Sequence, residues 1–168
     1  MTNATILLEE RKEVTTFLLD EGTITETTVI TAVGETPGYA YSKPLKVYDF
    51  VTLSDKSEIG NIAVKKFDPD DDLPIFGMIV NDPRVKENDL REAGVLVLGH
   101  LARFKLAASL SDIDVNDLIY LGENGAIADE DGTWYAMHPV DDSDDYNYIE
   151  VFMPYEKQEG GSTTTGST

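Results

Sequence analysis

The sequence predicts a mainly β protein built as a small barrel or sandwich. Apolar runs are short and are separated by turns rich in Gly, Pro, Asn and Asp. No long amphipathic helical repeat runs through the chain. One hairpin pattern occurs twice: Asp49-Phe-Val-Thr-Leu53, a polar turn and Ile59 are echoed by Asp117-Leu-Ile-Tyr-Leu121, a polar turn and Ile127.

Taken in order, Ile6 to Leu18 reads two ways. Leu7, Val14 and Leu18 can share a helical stripe, whereas Val14-Thr15-Thr16-Phe17 favours a strand. Thr23 to Ile30 alternates in part, as a half-buried strand would. Gly34-Glu-Thr-Pro-Gly38 reads as a turn or loop. Tyr48 to Leu53 is a strand, Ser54 to Ser57 a turn, and Ile59 to Phe67 the next strand. Asp68 to Asp72 is a polar loop. Pro74 to Asn81 is a buried strand in which Gly77 marks a bulge. Pro83 to Ala93 is charged and is expected to hold one helical turn. Gly94 to Leu106 supplies one or two strands, and Ala107 to Asp114 a connector. Leu118 to Leu121 and Ala126 to Ala128 flank a tight turn at Gly122-Glu-Asn-Gly125. Trp134 to Met137 and Tyr148 to Phe152 complete the set, with an acidic loop at Asp141 to Asp145 between them. Gly160 to Thr168 has no side chains to bury and reads as a flexible tail.

The 168 residues suit one ordinary domain, and an apolar content of 41% is enough for a core. Without cysteine there are no disulfides and no thiolate zinc ligands. The formal net charge is −19, from 13 basic and 32 acidic residues. Such a surface repels nucleic acid, whose binding requires Lys and Arg on phosphates, and it repels anionic membranes. Asp outnumbers Glu and Lys is scarce, a pattern resembling proteins of extreme halophiles, where concentrated salt screens carboxylate repulsion. No apolar run is long enough to cross a bilayer, and the first residues do not read as a signal peptide. The expected location is an interior compartment or a particle assembled there.

Little in the sequence points to catalysis. His100 and His138 have neither a nucleophile motif nor metal-ligand spacing around them and read as structural histidines. Asp68, Asp70 and Asp72 alternate like the start of a calcium loop. Leu73 and Ile79 then stand where that loop needs Gly and a bidentate Glu. No metal and no cofactor is expected. Trp134, Tyr135 and Tyr148 belong to an aromatic-rich segment suited to a partner, a subunit contact or a sugar.

Phe17-Leu-Leu-Asp-Glu-Gly-Thr-Ile-Thr-Glu-Thr-Thr-Val-Ile-Thr31 resembles the N-terminal region of phage head decoration proteins of the lambda type. Pro74 to Val80 and Gly94 to Leu106 resemble later segments of that family. Asp117 to Ile127 resembles the second barrel of related capsid-stabilising proteins. The resemblance implies a β-tulip fold, a homotrimer on the capsid surface of a virion assembled in the host cytoplasm, and the major capsid protein as partner. It implies no catalytic residues, and no nucleic acid or membrane among the partners. On this reading residues 1–31 are a capsid-binding arm and first strand, with Ile6, Leu7, Leu8, Val14, Phe17 and Leu18 as contacts. Residues 32–108 are the barrel core. Residues 109–157 either extend that barrel or form a second small one, and 158–168 are the tail. Another virion subunit (a turret base or tail tube) and a carbohydrate-binding β module are the alternatives.

Overall fold

The structure is a computed structural model that describes residues 14–87, 89–107, 112–141 and 147–155. Its strands are β1 (Val14–Asp20), β2 (Ile24–Thr31), β3 (Gly34–Tyr41), β4 (Phe50–Leu53), β5 (Ala63–Lys66), β6 (Gly77–Ile79), β7 (Arg84–Glu87), β8 (Leu90–Val97), β9 (Gly99–Lys105), β10 (Leu118–Gly122), β11 (Gly125–Ala128), β12 (Trp134–Ala136) and β13 (Tyr148–Pro154). No helix occurs among the described residues. The mainly β expectation holds, and the strands form small barrels.

Strands β1, β5, β4, β6 and β8 are hydrogen-bonded in that order, and β8 returns to β1 to close a five-stranded barrel. β7 continues along the edge of β8 on which β6 pairs, opposite β1. Strands β11, β10, β12, β13 and β9 form a second ring, which a parallel bridge between Leu106 and Ala126 brings round to its start.

The two rings have the same topology. β1 meets β5 in parallel, as the end of β9 meets β11, and all other ring neighbours are antiparallel in both. The registers correspond too. Leu53 pairs with Val64 as Leu121 pairs with Ala126. Phe50 pairs with Met78 as Leu118 pairs with Tyr135. Val95 sits between Ile79 and Thr15 as Val151 sits between Ala136 and Ala102. Leu19 pairs with Val64 as Leu106 pairs with Ala126. The hairpin echo in the sequence is the visible part of a duplicated barrel.

The turn entering each repeat is also duplicated. Tyr48 and Asn116 adopt φ of 73° and 70°, left-handed values uncommon outside glycine and least strained for Asn. The following Asp accepts a backbone N–H three residues back: Lys46 N to Asp49 Oδ2 at 3.1 Å, and Asp114 N to Asp117 Oδ2 at 2.8 Å. Closure of the second ring depends on Gly125. A β-carbon there would lie 2.7 Å from the Lys105 carbonyl oxygen and 2.8 Å from the Ala107 nitrogen.

Each barrel has its own core. Val51, Leu53, Val64, Ile79 and Val95 fill the first, and Ile113, Ile119, Ala126, Ile149 and Val151 the second. β12 and β13 are the wall between them. Ala136 and Val151 face the second core, whereas Met137 and Phe152 reach the first. Phe76 is the hinge of this packing, edge-on to Phe17 at 5.1 Å and to Phe152 at 4.8 Å between centroids.

Three expectations are corrected. Pro83 to Ala93 forms β7 and the start of β8 instead of a helical turn, because its residues extend the sheet along β8. Gly34 to Gly38 is strand, not loop, paired throughout with β2. Val14–Asp20, the first strand of the segment 1–31, is a stave of the first barrel. Gly99–Lys105, read as part of the first barrel, is a stave of the second. Both staves are placed by pairings between distant segments, which local composition does not encode.

Candidate interaction surface

Between β1 and β4 the first barrel carries an insertion that its twin lacks. β2 and β3 form a hairpin of eight paired positions, from Ile24–Tyr41 at the root to Thr31–Gly34 at the tip. At about 3.4 Å per residue it extends roughly 25 Å. It is a separate two-stranded sheet, and among the described residues neither strand pairs with a third. Nearly every residue of it is exposed, so the alternation expected of a half-buried strand has no core to face.

An isolated two-stranded ribbon is marginally stable in water, so its root and its tip matter. At the tip the apolar side chains point at solvent: Ile30 is 80% exposed, Val33 98% and Val29 46%. Pro37 lies in β3, whose outer edge has no neighbour among the described residues, so its missing N–H costs no ladder bond there. The outer edge of β2, Ile-Thr-Glu-Thr-Thr-Val-Ile-Thr, has no proline and is rich in β-branched residues. It is ready to pair with another strand.

The root is clamped to the barrel by a buried ion pair. Glu21, 2% exposed, is held in a fork by the Arg91 guanidinium: Nε donates to Oε2 at 2.8 Å and Nη2 donates to Oε1. Leu45 N also donates to Oε1, at 2.8 Å. The hydrogen bond and charge of Glu21 raise the Arg91 pKa, so the cation is secure. Arg91 lies over the Tyr41 ring, 4.5 Å from its centroid, and the Tyr41 hydroxyl donates to the Asp89 carbonyl at 2.7 Å. Burial, opposed by Arg91, raises the Tyr41 pKa and keeps it a donor. Gly22, at φ 77°, lets the chain turn from β1 into the ribbon.

No protein-family model, curated protein or solved structure matches this chain.

The residues singled out from the sequence are scattered. Ile6, Leu7 and Leu8 lie outside the described residues. Phe17 is buried in the first core, and Leu18 is half-buried on a strand paired with β5 and β8. Val14, at the start of the same strand, is exposed. Trp134 packs edge-on against Phe104 at 5.1 Å beside the second core. Tyr135 turns the other way, against the first core. Tyr148 lies under Arg103, 4.3 Å from guanidinium carbon to ring centroid. Trp134 and Tyr135 therefore sit on opposite faces of one strand and do not combine with Tyr148 into one stacking platform. The ribbon tip was missed in the sequence reading. Its signal was the apolar Val29, Ile30 and Val33 beside a glycine turn.

The duplication explains His138. It is fully buried, and its Nε2 accepts the Glu150 N–H at 3.2 Å. At the matching place in the first barrel, Asn81 Oδ1 accepts the Gly94 N–H at 2.7 Å. The neighbouring bonds match as well: Val80 N to Gly94 O at 3.0 Å and Met137 N to Glu150 O at 2.9 Å. His138 is thus the second barrel's version of a structural acceptor. His100 packs edge-on against Tyr155 at 5.4 Å. Among the described residues no group of three or more His, Asp or Glu side chains is placed to hold a metal ion.

Proposed function

We propose that this chain is a structural virion protein that binds the outer surface of an expanded capsid and stabilises it, with the major capsid protein and further copies of itself as partners. The observation that carries this reading is the exposed ribbon Ile24–Tyr41, clamped at its root and apolar at its tip. The sequence resemblance to head decoration proteins supplies the kind of partner, and the rigid double barrel supplies a body to hold the ribbon out.

The ribbon docks by β-augmentation, with the outer edge of β2 adding to a strand on the shell. Each hydrogen bond formed is worth about 0.5–1.5 kcal/mol net. Burying Ile30 and Val33 adds about 1.5–3 kcal/mol each. Several ribbons engaged by one trimer raise avidity by about 10²–10⁴. Binding to the expanded shell alone stabilises that shell by mass action. The sequence reading put the docking element at the chain's start. We place it in the ribbon instead, because Val14–Asp20 is a barrel stave.

The test is co-sedimentation with expanded heads lacking the protein. The wild type and a variant shortened by deleting Thr27 to Gly38 are compared, after circular dichroism shows both folded. Loss of binding in the shortened variant is the expected result. Undiminished binding would remove the ribbon from the mechanism.

A further inference from the structure

The duplication sets two equivalent faces side by side for comparison. In the first barrel, the segment before β4, the β4–β5 turn and the end of β5 with its following loop line one cleft. Lys43, Lys46, Lys56, Lys65 and Lys66 stand there, five of the chain's nine lysines. Asp20, Asp68 and Asp71 line the same cleft, so the lysines outnumber the carboxylates in a chain of charge −19. Lys56 pairs with Asp20 at 2.7 Å, Lys65 with Asp71 at 3.5 Å and Lys66 with Asp49 at 3.8 Å. Lys43 and Lys46 have no carboxylate within ion-pair distance among the described residues and are exposed.

The corresponding face of the second barrel carries carboxylates without the lysines. Asp114 occupies the place of Lys46 in the duplicated turn. Asp129, Glu130 and Asp131 follow β11 where Phe67, Asp68 and Pro69 follow β5. Glu123 lies in the β10–β11 turn, the counterpart of the turn that carries Lys56. No described Lys or Arg stands at these positions.

We infer that the lysine cleft of the first barrel receives the acidic face of the second barrel of another copy. Two patches that differ within one chain make a heterologous, head-to-tail contact, which closes into a ring or runs on as a filament. The inference rests on the self-association proposed above and names its faces. It is independent of the ribbon.

Salt should act in two directions. At 0.01 M the Debye length is about 30 Å, and two bodies of like net charge repel as wholes. At 0.15 M it is about 8 Å, which screens that repulsion and spares close contacts. At 1 M it is about 3 Å and the contacts weaken too. Association should therefore peak at intermediate salt.

Sedimentation velocity on the full chain across that salt range tests this. It is run with Lys43→Glu/Lys46→Glu, with Asp129→Lys/Asp131→Lys, and with an equimolar mixture. The expected result is a wild-type oligomer, about a hundredfold weaker association in each variant alone, and recovery in the mixture, which restores opposite signs. All four positions are exposed, and unchanged circular dichroism will verify folding. Variants that associate like the wild type would overturn these faces and leave self-association standing. A wild type that stays monomeric at every salt would overturn both. So would sulfate or phosphate protecting Lys43 and Lys46 from acetylation in a protein that remains monomeric.

Discussion

Removing Arg91 tests whether the ribbon is held by the buried fork at its root. Glu21 is almost fully enclosed, at 1% side-chain exposure, whereas Arg91 keeps 21%. Arg91→Ala leaves the carboxylate enclosed with the Leu45 N–H as its remaining hydrogen-bond donor in the structure. Breaking a buried pair from one side costs about 3–5 kcal/mol, and the partial exposure of Arg91 places this case near about 3. For a chain of this size each kcal/mol moves Tm by about 2–4 °C, so a fall of roughly 6–12 °C is expected. Urea unfolding measures the free energy, and amide exchange on Ile24–Tyr41 reads the ribbon directly, with faster exchange expected there. The double variant Glu21→Leu/Arg91→Met should recover most of the loss, since an apolar pair of similar volume replaces a buried ion pair at little cost. A loss under about 1 kcal/mol for Arg91→Ala, or a double variant as unstable as the single, would refute the clamp.

Tyr48→Asn should stabilise the fold by about 1 kcal/mol in urea titration, because Asn tolerates the left-handed backbone that its twin Asn116 already occupies. His138→Leu should cost about 1–3 kcal/mol by leaving the Glu150 N–H without an acceptor, and His138→Gln should cost less. At Asp20, burial pulls the pKa up, but hydrogen bonds from Lys56, Ser54 and Gly22 together with the Lys56 charge hold it below the ordinary carboxylate value. A depressed folded pKa stabilises above the unfolded value and ceases to do so as pH falls through the folded one. Asp20→Asn should therefore be less stable than wild type at pH 7, and the gap should close in strongly acidic buffer. Ile30→Asp/Val33→Asp should leave unfolding within about 0.5 kcal/mol of wild type while weakening head binding in co-sedimentation.

Strands that face a core were legible in the sequence. Val51 and Leu53, Ile119, and Val151 with Phe152 lie in runs whose burial drives the pattern. Where no core is faced, the pattern carries no information. The ribbon has two wet faces, so Thr23 to Ile30 alternates only in part and the Gly and Pro of β3 read as loop. β7 is exposed at all four residues and reads as charged filler. The duplication showed only at β4 and β10, because insertions of different length separate the other staves. Its charge difference, Lys46 against Asp114, lies in the matched register of the two barrels and in no local motif. Residue type alone groups Trp134, Tyr135 and Tyr148. Alternation along β12, invisible in composition, sends Trp134 and Tyr135 to different cores.

Phe152 has a consequence for synthesis. It sits on the last strand, yet it seals the core of the barrel whose first strand begins at Val14. As the chain leaves the ribosome, the first ring acquires all its staves once Val97 has emerged. Phe76 then lacks the ring that covers it, until some fifty further residues have been translated. The nascent chain therefore passes through a stage with an open hydrophobic socket. Its completion waits for β13, and a stall before Tyr148 would prevent it.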